Sequence, residues 1–257
     1  MKIYIMVDME GISGIVLSAH VMENERLYFD HGRKYMTWDV NACVEGCIKG
    51  GATKVVVRDA HGTGYNLIWE ELNPNAEYIQ GTGTKTRMVE GFDGVILLGY
   101  HSMGGTINGV LEHTMSSKNW QNFWMNGVKC GEIAIDAAIA GDYGVPVIMV
   151  SGDDKACREA KRFLPWVITA QVKKGLGCQC AQLLPLEKAH DLIRTSAEKA
   201  VRNIRSMKLY RVKHPVTLRL ELVSRGRVPA SKKYVRVIDG RTYEVTGNTV
   251  EEALNLL

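Results

Sequence analysis

Asp8 and Glu10 stand one residue apart at the end of an apolar run, Ile3-Tyr4-Ile5-Met6-Val7, and Gly11 follows them. In an extended strand the side chains at i and i+2 share a face. The two carboxylates should therefore project together from the strand's carboxyl end, where open α/β sheets place their ligands. A carboxylate pair there suits a cation. A lone pair of acids is more simply a solvated strand end turning at Gly11, so the metal reading depends on what else reaches that edge. Three other stretches carry the same chemistry: Asp59-Ala60-His61-Gly62 and His101-Ser102 each end a β-branched or apolar run, and Glu132 opens an alanine-rich helical stretch.

Mixed imidazole and carboxylate groups suit zinc, with cobalt and manganese behind it. Asp8, Glu10, His61, His101 and Glu132 are too many for one catalytic zinc with an open position. They suit two metals if one carboxylate bridges, and Asp8, central in the set, is the expected bridge. Two metals ~3.5–4 Å apart activate a water and polarise the bond it attacks. Each residue also has a plainer explanation. His61 could be a loop histidine before Gly62, His101 a strand-end residue bonded to backbone, and Glu132 an acid favoured at a helix N-terminus. That four elements should place such groups at one edge by coincidence is the harder position. Asp59 is expected to orient His61 or to steady its turn. His113, at the end of another expected strand, is not needed for the metal count and could carry protons to a leaving group. His20, His31, His190 and His214 read as surface or structural.

The elements that must position these groups follow from periodicity. Strand patterns cover Ile3 to Val7, Thr53 to Arg58, Glu77 to Ile79, Gly94 to Tyr100, Val145 to Val150 and Val167 to Val172, with a further strand expected at Gly109 to Thr114. Helical spacing runs from about His31 to Lys49, Gly131 to Ala140, after Asp154, and Leu186 to about Ile204, with a brief helix expected at Thr86 to Glu90. Alternating strands and helices imply parallel crossover units. Past Ser206 the composition changes. Val216 to Val223 alternates at period two, Tyr234 to Val237 and Thr242 to Val245 flank Asp239-Gly240 as a hairpin, and a short helix closes the chain. The fold class is α/β, a mostly parallel sheet flanked by helices, with residues 1–206 as the metal-binding catalytic domain. Residues 207–257 form a smaller β-rich C-terminal segment, packed on the first or at an oligomer interface. Gly81 to Thr86 lacks the Gly-Lys-Ser/Thr ending of a phosphate loop and reads as a plain loop. Ser151-Gly152-Asp153-Asp154 reads as an acid capping a helix.

With 257 residues the chain can bury a core without staples. No apolar run approaches the ~20 residues of a membrane span and no leader pattern opens the chain, so a cytoplasmic protein with no membrane partner is expected. The six cysteines lack C-x-x-C spacing and read as reduced thiols, Cys178-Gln179-Cys180 included. Net charge is +4, but residues 199–241 hold 13 Lys/Arg against Glu221 and Asp239, a local +11 that leaves −7 for the remainder. Such a segment could meet nucleic acid or the acidic surface of a neighbouring copy. Self-association is preferred and no nucleic acid is expected, since only Tyr210 and Tyr234 interleave the charges.

Asp8-Met9-Glu10-Gly11, Asp59-Ala60-His61-Gly62, Gly99-Tyr100-His101-Ser102, Glu112-His113-Thr114, Asn126-Gly127 with Gly131-Glu132, and Gly152-Asp153-Asp154 together resemble the DppA-type D-aminopeptidases, a family of zinc metallopeptidases. The resemblance covers roughly residues 1–155. It implies a dizinc aminopeptidase that removes N-terminal D-residues, D-alanine above all, from short peptides, assembled as a homo-oligomer, a ring-stacked decamer. It implies Asp8, Glu10, His61, His101 and Glu132 as zinc ligands and His113 as the catalytic histidine. Nothing in the composition carries D-specificity. The residues alone leave other readings open: a dinuclear metallohydrolase acting on a phosphoester or another amide, or a non-catalytic peptide-binding protein linked to dipeptide transport.

Overall fold

The apolar run at the N-terminus forms β1 (Lys2–Val7), whose residues from Ile3 onward are buried on both faces. Tyr4 and Met6 point to one side of the sheet and Ile3, Ile5 and Val7 to the other, the period-two alternation of a central strand. This computed structural model describes residues 1–83 and 86–257. A wide helical turn, Tyr28–Gly32, leads into α1 (Arg33–Lys49), so the regular helix starts two residues later than His31. Then come β2 (Lys54–Asp59), β3 (Glu77–Ile79) and β4 (Gly94–Tyr100). After β5 (Trp120–Met125) and β6 (Val128–Lys129), α2 (Glu132–Asp142), β7 (Val147–Asp153), α3 (Asp154–Phe163), β8 (Ile168–Gly177), β9 (Cys180–Leu183) and α4 (Leu186–Arg202) complete the first 206 residues. The tail holds β10 (Val216–Leu222), β11 (Val235–Val237), β12 (Thr242–Gly247) and α5 (Val250–Leu254), the last capped by Thr249 Oγ1 accepting from Glu252 N at 3.1 Å.

The main sheet has the order β3-β2-β1-β4-β7-β8-β9, parallel except for the β8–β9 hairpin. Strand order reverses between β1 and β4, the crevice where such sheets bind ligands. One face of the sheet packs on α1 and α4. The other packs on α2, whose residues Ile133 to Gly141 are all buried because the helix lies between two sheets. The second sheet is antiparallel, β11-β12-β10-β5-β6, so the tail strands pair with two strands drawn from before α2. β5 and β6 carry no strong strand signal, because Gln121 and Asn122 interrupt the apolar pattern. Asn126-Gly127 does form the tight turn between them, both residues at positive φ, 50° and 80°. The basic stretch is partly neutralised within this sheet. Arg219 and Arg236 reach Glu244 at 2.7 and 2.6 Å, and Arg241 reaches Glu221 at 2.8 Å.

Two expected elements are absent. Thr86 to Glu90 forms no helix; Arg87 instead turns inward to Asp136 at 2.7 Å, and Met88 has φ 59°. Gly109 to Thr114 forms turns rather than a strand, because Asn108 and Leu111 adopt φ 58° and 51° and the Val110 N–H is taken by Asp153 Oδ2 at 2.9 Å. Of the loop Gly81 to Thr86, Thr84 and Lys85 lie outside the described residues, and Gly81 to Gly83 belong to no helix or strand.

Candidate metal centre

Asp8 follows the last residue of β1 and Glu10 sits in the turn after it. The pair is therefore placed by a turn rather than by strand alternation. That turn presses against the end of β4. Gly11 N donates to Gly99 O at 2.7 Å, and a Cβ at Gly11 would stand 2.1 Å from Tyr100 O. Gly99, at φ 70°, returns the approach, since its Cβ would meet Asp8 O at 2.3 Å. Two glycines thus let the strand ends close until His101, just past β4, faces Asp8. His61 arrives from the other neighbour, β2.

The expected residues converge. Asp8 Oδ1 is 3.1 Å and Glu10 Oε2 3.2 Å from His61 Nδ1, while Asp8 Oδ2 is 3.3 Å from His101 Nε2. Glu132, the first residue of α2, brings Oε1 to 3.3 Å from His101 Nε2 and 3.7 Å from His113 Nε2, and accepts from Met115 N at 2.6 Å. His101 and His113 stack with 4.0 Å between ring centroids. His113 comes from a loop, not from a strand end, and joins the cluster at a slightly longer distance than the other histidines. Among the described residues, His101, His113 and Glu132 form one ligand-like group and Asp8, Glu10 and His101 another.

Each imidazole is turned the same way. His61 Nε2 lies 3.0 Å from Val21 O, His101 Nδ1 3.0 Å from Ser102 O and His113 Nδ1 2.9 Å from Leu111 O. The outer nitrogen, facing a carbonyl, must be the N–H donor, which leaves the inner nitrogen of each ring as a lone pair aimed at the carboxylates. Lone pairs aimed at anions repel unless a proton or a metal stands between them. Asp8 Oδ2, Glu10 Oε2 and His101 Nε2 are buried with no hydrogen-bond partner, an arrangement costing several kcal/mol without a cation. The titration tendencies follow. Burial opposes charge on His61, but Glu10 and Asp8 outweigh it and hold the imidazole well above its usual range. His101 is raised likewise by Glu132 and Asp8 against burial. Burial alone would raise Asp8, yet the neighbouring imidazoles of His101 and His61 take its carboxyl well below the usual range. Three carboxylates and three inward imidazole nitrogens make a set that fits divalent metal of the zinc class.

A family model described as D-aminopeptidase matches residues 1–257. A D-aminopeptidase of Bacillus subtilis (strain 168) is 39% identical over 207 residues, 79% of this chain and 74% of that protein. The chain belongs to the D-aminopeptidase family. Among solved structures, that of the Zn-dependent D-aminopeptidase DppA from Bacillus subtilis, a self-compartmentalizing protease, superposes with a TM-score of 0.92 at 33% identity, covering 99% of this chain and 94% of that one.

In this D-aminopeptidase family member four further groups support the cluster, two of them expected from the sequence. Asp59 does steady the turn of His61: Oδ1 accepts from His61 N at 3.3 Å and from Asn66 Nδ2 at 2.8 Å, and Oδ2 accepts from Asn66 N at 2.6 Å. It does not touch the imidazole, which Val21 O orients instead. Asp153 caps α3, accepting from Lys155 N and Ala156 N at 3.0 and 2.7 Å. Its other oxygen holds Val110 N, two residues before the Glu112-His113 pair. Glu159, inside α3, accepts from Met103 N at 2.8 Å, and burial pushes its carboxyl up to about 7. Lys173, from β8, lies buried beside the turn of Glu10. Burial pushes its ammonium down to about 8 against the opposing pull of Asp153, Asp39, Glu10 and Asp8. Neither Glu159 nor Lys173 leaves a sequence signal, since a charged residue within an amphipathic helix or near a strand end reads as solvated. No helix of the described residues is long and apolar enough to cross a membrane.

Proposed function

We propose that this chain is a cytoplasmic zinc-dependent aminopeptidase that removes D-residues from the N-termini of short peptides, D-alanyl-D-alanine among them. One observation carries the metal reading: buried Asp8 Oδ2, Glu10 Oε2 and His101 Nε2 lack hydrogen-bond partners inside a cluster of three carboxylates and three histidines. Asp8, Glu10, His61, His101 and Glu132 would hold two zinc ions. Asp8 would be the carboxylate they share, since its Oδ1 faces His61 and its Oδ2 faces His101. Bound zinc supplies Lewis acidity at the scissile carbonyl and an activated water to attack it.

His113 is the proton carrier. Leu111 O accepts from Nδ1, which leaves Nε2 as the basic nitrogen: it would take up the proton lost by the attacking water and pass it to the departing amine. Leu111 presents that carbonyl because φ 51° turns it inward, while its own N–H donates to Cys178 O at 2.8 Å. The family and the zinc-dependent relative support peptide substrates with an N-terminal D-residue. The relative's self-compartmentalization supports a homo-oligomer, which we take to be the decamer, with the 207–257 segment available to an interface. The free cysteines support a reducing compartment.

The test is hydrolysis of D-alanyl-D-alanine and of L-alanyl-L-alanine by purified protein, before chelation, after it, and after zinc is restored. Cleavage of the D-peptide alone, abolished by chelator and recovered with zinc, is the expected result. Cleavage of neither peptide by protein holding two metals per chain would overturn the peptidase reading and leave the metal site.

A further inference from the structure

Lys173 is fully buried, 1% exposed, although nothing anionic forms an ion pair with it among the described residues. Its Nζ donates instead to three backbone carbonyls: Glu10 O at 2.6 Å, Ile12 O at 2.8 Å and Ile15 O at 2.6 Å. An ammonium has three N–H donors, and all three are used. Burying such a charge costs several kcal/mol before its bonds offset it, so a neutral core residue would be the cheaper filling of this space. The three carbonyls explain the cost. They belong to the turn after β1, where the chain leaves the sheet and no ladder partner takes them. Ile12 O also accepts from Ile15 N at 3.2 Å, but without Lys173 the carbonyls of Glu10 and Ile15 would be buried and unsatisfied.

The turn they shape carries the Glu10 carboxylate. Glu10 O and Gly11 N belong to one peptide group, and both of its edges are held, the oxygen by Lys173 and the N–H by Gly99 O at 2.7 Å. With that peptide plane fixed after Glu10, and Asp8 N held by Leu98 O at 2.9 Å before it, the carboxylate has few ways to lie, and Oε2 rests 3.2 Å from His61 Nδ1. Asp39 adds a second tie, Oδ2 accepting from Ser13 N at 2.8 Å. Lys173 reaches the metal centre from β8, with β4 and β7 lying between that strand and β1, and touches none of its side chains through Nζ.

We propose that Lys173 is a positioning residue of the metal centre: by binding the carbonyls of Glu10, Ile12 and Ile15, its ammonium holds the Glu10 carboxylate where it and His61 share a metal. The inference rests on the reading of Glu10 and His61 as ligands given above. It assigns Lys173 to one half of the centre. The half built by His101 and Glu132 is tied elsewhere, through Met115 N, and should be indifferent to Lys173.

The experiment is stepwise zinc binding to metal-free protein under chelator competition, with folding checked by circular dichroism. Wild type is compared with Lys173→Met, Glu10→Gln and a distant core control, Ile193→Ala in α4. Lys173→Gln, which keeps a donor, stands in where Lys173→Met does not fold. In the Lys173 variant one zinc should bind about 10–100-fold more weakly, with the second unchanged. Ile193→Ala should lose stability while keeping both affinities. Two unchanged affinities in a folded Lys173 variant, or a uniform weakening matched by Ile193→Ala, would reduce Lys173 to a structural residue and overturn the proposal. If Glu10→Gln binds zinc as wild type does, the ligand reading itself is lost and the proposal with it.

Discussion

The imidazole of His113 lies over that of His101 with 15° between their planes, and both Nε2 atoms face the same oxygen, Glu132 Oε1. Stacking leaves room for only one of the two nitrogens to meet that oxygen directly. His101 holds the nearer place at 3.3 Å, fully buried, and His113 the farther at 3.7 Å on the more open side. This difference supports the proposed division of labour, in which the ring beneath would bind metal and the ring above would exchange protons.

His113→Ala therefore should keep both zinc ions while turnover falls by about 10²–10⁴. Zinc per chain and kcat, measured on one preparation, check this. Loss of one zinc would instead make His113 a ligand.

His101→Ala should lose zinc and activity together, since its Nε2 is the buried atom between Asp8 and Glu132. Metal content after dialysis against a weak chelator is the measurement. A variant with full zinc and full activity would show the scheme to be wrong.

Gly11→Ala tests the closure of the strand ends. The new methyl would stand 2.1 Å from Tyr100 O and 2.4 Å from Gly99 C, both backbone, so neither can swing aside. A loss of about 3 kcal/mol or more is expected in urea unfolding of metal-free protein. Gly91→Ala is the comparison. Gly91 has φ 79° but nothing within 4 Å of its would-be Cβ, so only the left-handed penalty of about 1–2 kcal/mol applies.

Glu159 should make the metal-free protein less stable as pH rises. Its folded carboxyl, raised by burial to about 7, keeps a proton that the unfolded chain releases near the ordinary value of 4.5. The contribution is present below the unfolded value and is lost as pH passes through the folded one, roughly 3 kcal/mol in all. Glu159→Gln keeps an oxygen for Met103 N and cannot ionise. The wild-type minus variant difference in unfolding free energy should fall between pH 5 and 8, and a flat difference would contradict the assignment.

Much of the centre was legible because strand ends are legible. Asp8, His61 and His101 each stand just beyond an apolar run, and such runs are readable where a parallel sheet is buried on both faces. Glu132 was legible as the opening acid of an alanine-rich helix. The misreadings have local causes. Gly109 to Thr114 has strand composition, but Asp153 and Cys178 take its backbone groups and two positive φ values break it. The carbonyls of Val21, Ser102 and Leu111 that orient the three imidazoles had no trace at all, because every residue carries a carbonyl.

By itself, the sequence determined the α/β class and the family and offered a set of candidate metal-binding groups, since periodicity, residue chemistry and motif order are properties of the chain alone. Tertiary structure alone decided that β1 lies between β2 and β4, which sets His61 and His101 on opposite sides of Asp8. It also decided that Lys173 reaches back to the turn of Glu10. Strand order, ring orientation and the burial of a charge depend on which distant segments pair, and that choice rests on packing summed over the whole core rather than on any local run of residues.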